Sequence, residues 1–168
     1  LTVMMGAPPS SAVSEYFNDF HATGVHLWET GLPTELNGWL AGGTVPWVSW
    51  VNLDGNSSGN GQPLGGLTAA FPGRIGYQVG DEPLDVTALL RMQAGARVVR
   101  QRDAQGLTIL NLTGDGAKGA LGVQGAAMAE FDVLSVDHYT YGWNAYETLA
   151  GLRTVAQANG KPYWRYLD

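Results

Sequence analysis

The chain contains no cysteine, which excludes a disulfide scaffold and a thiolate metal site while leaving the redox compartment unmarked. Positive charge is scarce. Lys and Arg number 9 against 15 Asp and Glu, giving a formal net charge of −6 over 168 residues. Neutralising nucleic-acid phosphates needs clustered Lys and Arg. The densest basic run, "RVVRQR" from Arg97 to Arg102, reads as one solvated helix face. A nucleic-acid partner is therefore not expected. No apolar run approaches the ~20 residues of a membrane span, and no basic start precedes an apolar stretch as in a signal peptide. A membrane partner is not expected either. His21, His26 and His138 form neither HxH nor HExxH, so no metal and no other cofactor is expected. The first residue is Leu1 rather than Met, which leaves room for a leader or an upstream region already missing.

What the chain does have is glycine, at 24 residues, with 6 Trp and 7 Tyr. Many glycines suggest tight connections, and many aromatics suggest a generous core or a stacking surface. Apolar strand-like segments alternate with helix-like ones. "LTVMMGAPP", "VHLWETG", "VPWVSWVNLDG", "GRIGYQVGDEP", "LTILNLTG", "DVLSVDHYTYG" and "KPYWRYLD" read as strands. Between them, "SSAVSEYFNDFHATG" and the short "PTELNGWLAGG" read as helices, "LDVTALLRMQAGARVVRQRDAQG" as a long helix with Leu89, Leu90, Val98 and Val99 toward the core, and "AKGALGVQGAAMAEF" and "NAYETLAGLRTVAQANG" as two more. Residues 54–66, "DGNSSGNGQPLGG", have almost nothing apolar to bury and read as a loop.

Strand and helix thus alternate about seven times, which predicts a parallel sheet in an α/β fold. The first strand carries no GxGxxG before its helix, which counts against dinucleotide binding in a doubly wound sheet. Polar and aromatic residues gather after several different strands, the habit of a (β/α) barrel. The expectation is one catalytic-type domain over 1–168, a parallel TIM-type barrel. A complete barrel takes ~250 residues, so this one is expected to be incomplete, with about seven strands and its C-terminal part missing.

Strand ends in a barrel share one mouth. Read in order, they supply Glu29, Asn52, Asp81 with Glu82, Asn111, then Asp137, His138 and Tyr139, and finally Asp168. Asp81 admits a second reading as a helix N-cap, with Pro83 starting the helix. Trp28, Trp50, Tyr139, Tyr141 and Trp143 lie near strand ends, where flat rings suit the apolar faces of sugars; ordinary packing is the alternative. His138 could orient a substrate or simply be a packed, hydrogen-bonded histidine.

"GYQVGDEP", "DVLSVDHYTYG" and "GKPYWRYLD" resemble the fourth, sixth and seventh strands of glycoside-hydrolase-like TIM barrels. Closest are poorly characterised members with a Gly-Tyr…Asp-Glu-Pro fourth strand. The resemblance implies a carbohydrate-active hydrolase in which Glu82 is the acid/base. It would place a nucleophilic Glu after the seventh strand, where this chain has Asp168. Asp168 takes that role, or the partner lies beyond the chain end in a larger enzyme, or the protein binds a glycan without cleaving it. The chemistry needs one carboxylic acid to protonate the leaving oxygen and one carboxylate across the sugar. Candidates for the second are Asp137, Asp168 and Glu29. The substrate class points to secretion or the periplasm.

Overall fold

The computed structural model describes residues 3–5, 24–27, 47–52, 62–63, 74–114, 128–136 and 143–165. In chain order these form β1 (Val3–Met5), β2 (Gly24–Leu27), β3 (Trp47–Asn52), β4 (Gln62–Pro63), β5 (Arg74–Asp81), α1 (Val86–Arg102), β6 (Leu107–Leu112), β7 (Val133–Val136), α2 (Trp143–Ala158) and β8 (Tyr163–Arg165). The strands pair in parallel in the order β1-β2-β3-β5-β6-β7-β8, with β4 beside β3. The part seen most fully, side chains included, is a small α/β unit of four parallel strands, β5 to β8, with α1 and α2.

This corrects the barrel expectation. A sequential parallel order serves a closed barrel and an open sheet equally; closure requires the first and last strands to pair. Among the described residues no ladder joins β8 to β1: the order runs from one to the other and stops. Among the described residues the fold is a small α/β unit on a parallel sheet, not a seven-strand barrel. Right-handed crossovers that always step the same way put their helices on one face, and α1 and α2 do pack there together.

That face holds the main core. Leu89, Ala96 and Val99 of α1 and Leu152, Val155 and Ala156 of α2 cover Tyr77, Val79, Leu110, Leu112, Leu134 and Val136 of the sheet, with Met128 and Phe131 beside them. The spacing in α1, three or four residues between buried positions, is that of one helical stripe. Leu90 and Val98 do not belong to it. Leu90 is 49 % exposed and Val98 half-buried, against the expectation that both face the core. On the opposite face a smaller cluster joins Val48, Ile109 and Val133, with Ile75 and Trp164 against it. β6 is buried on both faces, which is why "LTILNL" reads as a nearly unbroken apolar run.

The helix ends follow from local chemistry. Asp85 caps α1, its Oδ1 accepting from the Ala88 N–H at 2.7 Å. Asp81 is therefore not the N-cap, and Pro83 lies outside the helix rather than opening it. At the other end the Asp103 N–H returns to the Val99 carbonyl, and Asp103 Oδ2 accepts from the buried Tyr77 hydroxyl at 2.7 Å. After α2, Gly160 adopts φ +62°, and the Lys161 N–H reaches the Ala156 carbonyl at 2.9 Å. The 54–66 stretch is not all loop, since Gln62 and Pro63 pair with Val51 and Asn52. Of the expected helices, residues 10–23 and 33–43 of the first two and 117–127 of "AKGALGVQGAAMAEF" lie outside the described residues, and Met128–Glu130 form a turn.

Candidate functional site

In parallel α/β sheets the C-terminal ends of the strands face the ligand. Here that edge carries one transverse row. Asp81 on β5 stands opposite Asn111 on β6, Asn111 opposite Ser135 on β7, and Ser135 opposite Trp164 on β8. Ser135 Oγ donates to Asn111 Oδ1 at 3.0 Å, Asn111 Nδ2 donates to Asp81 Oδ1 at 3.0 Å, and Gln78 Nε2 donates to the same oxygen at 3.1 Å. Asn111 also ties down the next residue: its carbonyl accepts the Glu82 N–H at 2.9 Å.

Asp81 reaches this row because β5 is bulged. Strict alternation would put Gln78 and Asp81 on opposite faces. Gln78 pairs with Ile109, but Gly80 pairs with Leu110 and Asp81 with Asn111, so Val79 is an extra residue and the alternation slips by one. Bulges commonly re-aim a side chain in this way. Gly80 makes room for it: a Cβ there would stand 2.6 Å from Leu110 Cδ1 and 2.7 Å from Met92 Sδ.

Glu82 follows at once, exposed, with φ +43°; it is the sole non-glycine residue with positive φ among the described residues. That conformation costs on the order of 1 kcal/mol or more for a side chain with a Cβ, and such strain concentrates at functional sites.

The other edge differs. Arg100 donates to Asp132 Oδ1 at 2.7 Å and to the Glu130 carbonyl at 3.0 Å, and Arg97 pairs with Glu130 at 2.9 Å. The Thr108 N–H donates to Asp132 Oδ2 at 2.8 Å, and the Thr108 hydroxyl donates to the Glu130 carbonyl at 2.6 Å. Burial is the largest influence on Asp132 and pushes its carboxyl up. The Thr108 N–H, Arg100 and the Thr108 hydroxyl together outweigh it and hold the group below the usual carboxylate range. Arg100 is thus half-buried in a charged cluster that joins α1 to the segment before β7, and not on a plain solvated face.

The expected site residues divide accordingly. Asp81, Glu82 and Asn111 come together at one edge. Trp50 and Asn52 lie on β3 and Trp143 opens α2, each placed by its backbone alone. Glu29, Trp28, Asp137, His138, Tyr139, Tyr141 and Asp168 lie outside the described residues. Gln78 and Ser135 were missed. Their signal was a polar residue in the middle of an apolar strand, "YQVG" and "VLSV". Each is no more than 1 % exposed, where an unsatisfied polar group is costly. Among the described residues no three His, Asp or Glu side chains gather closely enough to hold a metal ion, and no helix is long and apolar enough to cross a membrane.

Compared with known proteins, the chain matches no family model and no curated protein.

Proposed function

We propose that this protein is a carbohydrate-active hydrolase that cleaves a glycosidic bond, with Glu82 as proton donor at the C-terminal edge of the sheet. The observation that carries this reading is the backbone of Glu82. A strained residue persists where its surroundings over-determine it, and here the Asn111 carbonyl grips its N–H while Asp81 is anchored beside it. Neither carboxylate is used as the cap of α1, a task that falls to Asp85. Protonating a leaving oxygen asks for an acid held at a fixed place next to bound substrate. The second carboxylate, nucleophile or water-activating base, comes from Asp137, Asp168 or Glu29. Trp28, Trp50, Tyr139, Tyr141 and Trp143 supply stacking surfaces for the sugar rings, and Asn52 and His138 supply polar contacts.

The exposure of Glu82 favours a second reading, a domain that holds a glycan without cutting it, because a general acid gains its raised pKa from burial or a neighbouring charge. The two separate on one variant. Glu82→Gln is expected to abolish release of sugar while leaving glycan retention on an affinity gel unchanged. A wild type inert on a broad panel of glycosides removes the hydrolase reading and leaves the binding one.

A further inference from the structure

The hydrogen bonds of the transverse row all point one way. The hydroxyl of Ser135 has one proton and gives it to Asn111 Oδ1, with the Leu110 carbonyl a longer alternative at 3.4 Å. That fixes the Asn111 amide with its nitrogen toward Asp81. The Gln78 amide nitrogen arrives from the same strand as Asp81. Two N–H groups thus meet on one oxygen, Asp81 Oδ1. A carboxylate accepts both; a protonated acid gains little from either, since N–H donors stabilise the charged form.

β3, "WVSWVN", β6, "LTILNL", and β7, "VLSV", contain no ionisable side chain; Arg74 lies at the opposite end of β5, and Arg165 of β8 stands opposite Val136, a residue of the helix-covered face. On β5 itself Tyr77 is engaged with Asp103 at the opposite end. The arginines of α1, Arg91, Arg97, Arg100 and Arg102, ride on a helix that packs against the other face of the sheet. Gln78, Asn111 and Ser135 are buried where apolar residues would fill the space as well, and a buried polar row is costly unless every member is satisfied.

We propose that Ser135, Asn111 and Gln78 are positioning residues: they hold Asp81 as a fixed, ionised carboxylate beside Glu82, so that Glu82 is the member of the pair that carries the proton. The bulge at Val79 is the device that brings Asp81 into their reach. The inference rests on the reading of Glu82 as a proton donor, and it deepens that reading by dividing the labour within the Asp81–Glu82 pair. A negative charge held next door disfavours ionisation of its neighbour.

Carbodiimide coupling with an amine at mildly acidic pH reacts through protonated carboxyl groups and reports on the pair without any substrate. Fragment-ion mapping of the labelled full chain resolves the two adjacent positions. In the wild type Glu82 is expected to label at least about ten-fold faster than Asp81. Ser135→Ala and Gln78→Leu, each checked for a native-like amide spectrum, should bring the two rates to within about two-fold of each other. Ser135→Thr, which restores a hydroxyl, should return the wild-type preference. Equal labelling in the wild type, or a ratio that neither substitution moves, overturns the proposal. A preserved preference in a protein that turns over no glycoside supports the row while sinking the hydrolase reading, so the two fail separately. Where turnover is found, Ser135→Ala should lower kcat about ten-fold with KM nearly unchanged, the mark of a group acting on the proton donor rather than on binding.

Discussion

At the edge where the strands begin, Arg97 and Arg100 meet Glu130 and Asp132 in ion pairs, and Thr108 completes the cluster. At the edge where they end, two neutral amides converge on Asp81, a hydroxyl braces one of them, and the next residue is held in a strained conformation. Both edges are polar, but the first spends its hydrogen bonds on joining α1, β6 and the approach to β7. Cation and anion there satisfy one another. The second edge gathers donors around one carboxylate and leaves its neighbour Glu82 exposed to whatever lies outside. The contrast teaches where to look for stability and where for chemistry, since strain and converging donors cost folding free energy that a purely structural edge has no reason to carry.

Substitutions can break this contrast, and the largest effect is expected at Asn111. Asn111→Leu leaves both Asp81 and Ser135 without their mutual partner in a buried place, at a cost of about 3 kcal/mol in chemical denaturation. A loss below about 1 kcal/mol would mean that the row does not act as a unit. Next comes Asp132→Ala, expected to cost about 2 kcal/mol at neutral pH, because Arg100 and the Thr108 N–H lose a charged acceptor. The acid dependence sharpens this case. The folded-state pKa of Asp132 is depressed. Its contribution is therefore fully present above the unfolded-state value, ~3.9, and is lost as pH falls through the folded-state value. Asp132→Asn should flatten that acid limb in thermal melts taken across the range. The smallest effect carries the opposite sign. Glu82→Gly relieves the positive φ and should stabilise the protein by up to about 1 kcal/mol while ending any turnover. Destabilisation by Glu82→Gly would show that the glutamate side chain supports the fold, and the two edges would then not differ in kind.

The α/β character was legible because apolar strand segments and helical stripes leave local, periodic traces, and "LTILNL" or the stripe through Leu89, Ala96 and Val99 is such a trace. Leu90 and Val98 misled for the same reason: apolar residues one step off the stripe look like core until the helix is docked. Barrel closure was not legible. Whether β8 meets β1 depends on how twist and stagger accumulate across strands far apart in sequence, and among the described residues no ladder joins them. In the site, Asp81, Glu82 and Asn111 announced themselves as polar residues at strand ends. Gln78 and Ser135 did not, being single polar side chains inside apolar strands whose partners on the row lie 3 and 24 residues away.

The sequence by itself determined that parallel strands and helices would alternate, that charge would be sparse and mostly negative, and that two adjacent carboxylates would follow "GYQVG". Composition and short-range periodicity suffice for that, because they act within a few residues along the chain. Only the tertiary structure decided which face Asp81 would take and who would hold it. One extra residue at Val79 reverses the alternation. That residue becomes visible only when β5 is laid against β6, since register belongs to a pair of strands and not to either one alone.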